Sequence, residues 1–282
     1  MKIGMILEGG AMRGMYTAGV LDVMMENNLW VDGYIGVSAG AVFGCNYKSE
    51  QIGRIIRYNT KYSKDPRYAS LKSWIKTGNF YGIDFCYNTL PKELDLFDEE
   101  AFRKNPMDFY VVCTDIRTGK PVYQLCNTGD DLDATWMRAS ASMPLAAKPV
   151  CIDDYELLDG GISDSIPITW FMKQGYEKNI VILTQHDGYK KKKSKIIPLF
   201  KLFLKDYPEI TKCMKRRHVR YNAALAKIKT LKKQGKVLVI QPSEALTISR
   251  TERDPDKLWE VYKLGRKDGL AQLENIKAFL KR

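Results

Sequence analysis

A serine sits between two glycines in Gly36-Val37-Ser38-Ala39-Gly40, with an apolar stretch before it and a helical pattern after it. A serine hydroxyl attacks an ester only if a neighbouring base takes its proton, and a sharp strand-to-helix turn is what lifts such a side chain clear of a sheet. The GxSxG spacing is a weak signal on its own; its position between strand and helix gives it weight. The chain offers more than one base. His186 follows the apolar run 179–184 and would complete the order Ser, Asp, His of a hydrolase triad, although Gln185-His186-Asp187-Gly188 also reads as an exposed turn. Asp159, in Leu157-Leu158-Asp159-Gly160-Gly161, reads either as a hairpin turn or as a base. In the second case the glycines remove bulk between carboxylate and serine, and partial desolvation raises the carboxyl pKa. His218, in Lys215-Arg216-Arg217-His218-Val219-Arg220, reads as part of a solvated helix face.

A second chemical signal lies at the N-terminus, where an apolar strand runs into Glu8-Gly9-Gly10-Ala11-Met12-Arg13-Gly14 and then a helix. Small residues there let backbone N–H groups approach a ligand closely. The stretch imitates a dinucleotide-binding fingerprint, which needs an acidic residue about 20 positions on, at the end of the next strand. Here Asp32 precedes that strand and Ser38 ends it, which argues against a bound dinucleotide.

Elements that could position these residues follow from the pattern. Apolar, β-branched runs at 2–7, 34–37, 109–114, 121–126, 179–184 and 236–241 read as strands, mostly continuous rather than alternating, as in a sheet covered on both faces. Helical patterns fall at 14–26, 39–47, 50–62, 130–142, 167–175, 207–231 and 269–280. Their alternation predicts a three-layer α/β/α sandwich with a mostly parallel central sheet. The apolar stretch 196–204 reads as a buried helix or as a lid that dips into a membrane.

A chain of 282 residues that is 45% hydrophobic can bury a large core, and one domain over 1–282 is expected, with a basic, partly apolar insertion at about 189–235. Between Tyr189 and Lys236 there are 17 Lys and Arg against 2 Asp and Glu, a local +15 within a chain of +12, which leaves −3 for the remainder. Such a segment suits peripheral contact with an anionic membrane; for nucleic acid, Tyr207 and Tyr221 are sparse as stacking platforms, so no specific nucleic-acid partner is expected. The apolar run ending at Glu8 is too short for a secretory leader, so a cytoplasmic protein is expected, peripheral to the inner membrane surface where lipid is engaged. The six cysteines, Cys45, Cys86, Cys113, Cys126, Cys151 and Cys213, have no paired spacing and read as buried reduced thiols. No metal or organic cofactor is called for.

Taken together and in order, Gly9-Gly10-Ala11-Met12-Arg13-Gly14, the GxSxG around Ser38 and Asp159-Gly160-Gly161 resemble the patatin-like phospholipase family, in its bacterial branch. The stretch Arg138-Ala139-Ser140-Ala141-Ser142-Met143-Pro144 is similar to a further family segment, and the likeness runs firmly from Lys2 to about Thr184. The resemblance implies a patatin-like fold and a serine lipid acyl hydrolase with a Ser38–Asp159 dyad. It also implies an oxyanion hole from the Gly9, Gly10 and Ala11 amides, with Arg13 and Gly14 supporting the loop and Gly36 and Gly40 shaping the elbow. Lipid or phospholipid is the implied substrate, and transfer of the acyl group to an alcohol, or lipid binding without catalysis, are the alternatives. Headgroup, acyl length, sn-position, any activating partner and oligomeric state are not legible. Ala11 departs from the family's third glycine, and a positive φ there would strain it.

Overall fold

The computed structural model describes residues 1–281. Its eight strands are β1 (Lys2–Leu7), β2 (Gly33–Val37), β3 (Asp108–Asp115), β4 (Pro121–Leu125), β5 (Val150–Ile152), β6 (Tyr155–Asp159), β7 (Tyr176–Ile182) and β8 (Val237–Ile240). They form one sheet in the order β5-β6-β3-β2-β1-β7-β8, with β4 also on β3. Pairing is parallel from β3 through β2, β1 and β7 to β8, and antiparallel where β4, β5 and β6 join.

Both faces of the sheet are buried, as continuous apolar strands require. On β1, Ile3, Met5 and Leu7 enter one core and Ile6 the other; on β7, Ile180 and Ile182 separate in the same way from Val181. The first core is closed by α1 (Gly14–Glu26), α2 (Ala39–Lys48), α3 (Arg54–Tyr62) and α10 (Pro255–Ala271). The second is closed by α7 (Ile168–Lys173) and α9 (Pro208–Lys233). The expected three-layer α/β/α arrangement is therefore what the chain adopts. The remaining α-helices are α4 (Leu71–Thr77), α5 (Glu99–Lys104), α6 (Asp131–Ser140), α8 (Ile197–Phe203) and α11 (Leu273–Leu280).

Several local expectations differ from the structure. Asp159 ends strand β6 and leads into a single 3₁₀ turn, Gly160–Ile162, so the hairpin turn lies instead at Asp153, whose φ is 49°. The helix expected over 269–280 is broken at Gln272, which turns the chain and leaves Leu270 51% exposed while Ile276 stays buried. Cys151 is exposed and Cys86 half-buried, so four rather than six thiols are buried. Helix α8 buries only Ile197 and Phe200, and these join Ile116, Leu158 and Met214 in a small separate core.

Candidate active site

Ser38 follows the last residue of β2 and starts α2 with φ 56° and ψ −121°, a conformation that costs a non-glycine residue about 1–3 kcal/mol and is held by its surroundings. The flanking glycines are required by space. A Cβ on Gly36 would lie 2.4 Å from the Gly40 carbonyl oxygen, and one on Gly40 would lie 2.3 Å from that of Leu7. Helix α2 can therefore turn directly against β1 and β2. The Ser38 N–H donates to Ser140 Oγ at 2.9 Å, and the Ser140 hydroxyl donates to the Val112 carbonyl at 2.6 Å, so the end of α6 braces the turn.

Asp159 reaches the serine because two strands share one edge of β3. Strand β4 covers Tyr110–Thr114 on one side, while on the other β2 pairs as far as Val37 opposite Val112 and the antiparallel β6 takes over with its last residue, Asp159, opposite Cys113. The carboxyl ends of β2 and β6 thus meet, bringing together residues 38 and 159. The Asp159 N–H donates to the Ser142 carbonyl at 2.9 Å, its own carbonyl accepts from Thr114 Oγ1 at 2.9 Å, and Oδ1 accepts from the Gly161 N–H at 2.7 Å. The residue is only 1% exposed, and burial pushes its pKa up, with the Ser38 hydroxyl and then the Arg217 guanidinium pulling it part of the way back. Oδ2 is buried and takes no hydrogen bond, so the carboxylate keeps one oxygen free for a proton.

The glycine-rich loop lies against the same turn. A Cβ on Gly9 would stand 2.8 Å from that of Ser38 and 2.7 Å from the Val37 carbonyl oxygen. Around it, Glu8 N–H bonds to the Ile182 carbonyl, Met12 N–H to that of Arg250 and Arg13 N–H to that of Gly10, and the N–H groups of Gly9, Gly10 and Ala11 take no part in these bonds. Ala11 has φ 50°, the strained conformation that alanine makes costly at this position. Gly14 opens α1 where a Cβ would come within 2.8 Å of the Phe43 ring. Glu8, which no sequence signal marked, is buried under the loop and accepts from the Thr184 N–H and the Tyr221 hydroxyl, each at 2.7 Å. Arg13 Nε is buried with no partner; burial lowers the guanidinium pKa and Glu8 opposes that.

Ser38, Ala11 and Met12 line a cavity of about 700 Å³ whose wall is mainly apolar, with Val42, Phe43, Tyr58 and Met137 among its residues. That volume lies within the ~300–1,000 Å³ usual for small-molecule sites. Lys191, Arg217, His218 and Arg250 also line it. His218 therefore belongs to the cavity wall rather than to a solvated face, and its Nδ1 is buried without a partner. His186 is not part of that wall, and its Nδ1 contacts the carbonyl of Asp187 at 2.6 Å.

The model of the family described as Patatin-like phospholipase matches residues 5–172. The chain belongs to this family. Residues 207–281 match a second model, described only as a domain of unknown function, DUF6363. Among patatin relatives, the uncharacterized protein YjjU of Escherichia coli is 31% identical over 65% of this chain and 52% of its own length. Lysophospholipase nte1 of Aspergillus oryzae is 24% identical over 60% of this chain and 11% of its own. The patatin-like phospholipase domain-containing protein ZK370.4 of Caenorhabditis elegans is 27% identical over 58% and 12%. The chain thus spans about half of the first relative and about a tenth of the others. Among solved structures, VipD from Legionella pneumophila aligns over 97% of this chain and 67% of its own at 13% identity and a TM-score of 0.48, too distant a likeness to argue from. Within the patatin region lies Ser140, whose bracing of Ser38 could not be read from its stretch of small residues. Lys191, Arg217 and Arg250, which also line the cavity, lie outside that region.

Proposed function

We propose that this patatin-family protein is a serine hydrolase of lipid acyl esters in which Ser38 is the nucleophile and Asp159 the general base. Asp159 Oδ2 takes the Ser38 proton as Oγ attacks the ester carbonyl, and the Gly9, Gly10 and Ala11 amides stabilise the tetrahedral oxyanion, with Arg13 and Gly14 holding that loop. Collapse passes the proton to the departing alkoxide and leaves an acyl-enzyme. Water, deprotonated by the same carboxylate, then releases the fatty acid. The observation that carries the reading is a buried carboxylate with a spare oxygen beside a strained serine on an apolar cavity. The test is release of fatty acid from a lysophospholipid by the wild-type protein and by Ser38→Ala and Asp159→Asn. Loss of about 10³-fold or more in each variant supports the dyad. An equal loss in His186→Ala would replace the dyad with a triad, and an ester product formed with added alcohol would turn hydrolysis into acyl transfer.

The reading extends to an anionic membrane surface as the place of work. Helix α8 exposes Leu199, Leu202 and Phe203 between Lys190–Lys195 and Lys205, and α4 exposes Leu71 and Ile75 beside Lys72 and Lys76. The two helices are linked: the Trp74 indole donates to the Leu145 carbonyl at 2.8 Å, and the Leu145 side chain packs on the core of Ile197 and Phe200. Apolar tips flanked by lysines suit the headgroup boundary of an anionic bilayer. Among the described residues no helix is long and apolar enough to cross a membrane.

A further inference from the structure

Four cations crowd the serine end of the cavity. Arg250 lowers the pKa of Arg13, Lys191 and Arg217, Arg217 and Arg13 also lower that of Lys191, and the carboxylates acting on these three groups are Glu8 and Asp159. Glu8 is already engaged by Thr184 and Tyr221, and Asp159 Oδ1 by Gly161. Among the described residues none of the four cations is in a salt bridge. Burial, then Arg217, hold the Lys191 ammonium down to about 7, with Glu8 opposing and Arg250 and Arg13 adding to the depression.

Three of these groups, Lys191, Arg217 and Arg250, line the cavity together with Ser38. The Lys191 backbone exchanges two hydrogen bonds with the Asn222 amide at 2.9 and 3.1 Å, and its Nζ stands 4.1 Å over the Tyr221 ring. Arg217 Nε donates to the Gly161 carbonyl. The Arg250 carbonyl accepts from Met12 N–H at 3.4 Å, which ties Arg250 to the glycine-rich loop. Arg250 stays exposed, whereas Lys191 and Arg217 are half-buried, and cations drawn out of water without counter-charges are costly unless an anion arrives to pair them. A lone carboxylate brings one charge, whereas a phosphate monoester brings about −1.5 to −2 and three acceptor oxygens, which matches two guanidinium groups and an ammonium.

We propose that Lys191, Arg217 and Arg250 form a phosphate-recognising subsite in the Ser38 cavity, so that the preferred substrate is a phosphate-bearing acyl lipid rather than a neutral acylglycerol. The proposal rests on the hydrolase reading and deepens it. All three residues follow the stretch matched by the patatin model, so the subsite belongs to the C-terminal part of this chain.

The test uses octanoyl glycerol and octanoyl glycerol phosphate, which share the scissile ester and differ only in the phosphate. Their binding to the full chain carrying Ser38→Ala is measured by calorimetry, alone and with Lys191→Gln or Arg250→Gln added. Arg217 is left intact because it also touches Gly161 beside the base. The proposal expects at least tenfold tighter binding of the phosphate-bearing lipid and a severalfold fall in that ratio with either added substitution, restored in part by Lys191→Arg. Equal affinity for the two lipids, or equal weakening of both by the substitutions, would overturn it. Inorganic phosphate is the third probe: if it binds and Lys191→Gln weakens it while the two lipids bind alike, the site takes free phosphate and the headgroup assignment is wrong. Release of octanoate by the wild-type protein is followed separately. Selective binding without release upholds the subsite and removes the hydrolase reading, and release without selectivity does the reverse.

Discussion

A carboxylate buried beside a hydroxyl is costly at neutral pH, and that cost makes it a base. The folded pKa of Asp159 lies above its unfolded value, so the stability linked to the protonated form is complete below the ordinary carboxylate range and is lost as pH rises through the folded pKa. Asp159→Asn should therefore raise the urea midpoint at pH 7 while removing most ester hydrolysis, and the wild-type rate should climb with pH through a carboxyl limb shifted above ~3.9. A lower midpoint in Asp159→Asn would contradict this. Ala11 makes a second residue-scale test. Since its φ is 50°, Ala11→Gly relieves strain that roughly offsets the added chain entropy, and unfolding should change by less than about 1 kcal/mol, whereas Ala11→Val should lose more than that. At this scale Ser38, Asp159 and the glycines were legible because their types and spacing are local signals. Ser140 and Glu8 were not, since their partners lie 102 and 213 positions away.

The junction of β2 and β6 on one edge of β3 is the device that closes the distance between residues 38 and 159. Strands β1, β2, β3 and β7 were legible as apolar runs, whereas β5 and β6 are short, carry Glu156 and exposed Tyr155, and owe their pairing to the strand beside them. The broken C-terminal helix was misread for a related reason: its apolar spacing continues through Gln272 although the backbone does not. Helix α10, from the region matched by DUF6363, crosses α1 so closely that a Cβ on Gly265 would lie 2.1 Å from the Tyr16 carbonyl oxygen, and one on Gly19 would lie 2.2 Å from that of Tyr262. The Tyr262 hydroxyl also donates to the buried Asp22 at 2.6 Å. We propose on these contacts that residues 1–282 unfold as one unit. Gly265→Leu should then cost about 3 kcal/mol, read as a shift of a single urea transition; a transition confined to the C-terminal part would separate it from the patatin region.

The molecule as a whole joins a nearly neutral patatin scaffold to a strongly basic segment, and the charge count made that division legible without revealing which of the 17 cations face the cavity. Binding to anionic vesicles should be strong at low salt and fall steeply as ionic strength shortens the screening length. The double variant Leu202→Glu and Phe203→Glu should weaken vesicle binding about tenfold in a sedimentation assay, and unchanged binding would remove α8 from the membrane face. The central claim concerns Ser38 itself. Treatment of the full chain with a fluorophosphonate probe, followed by peptide mass mapping, should find one adduct, on Ser38, that is absent in Ser38→Ala and much slower to form in Asp159→Asn. A folded protein that cleaves esters while Ser38 stays unlabelled would contradict the account.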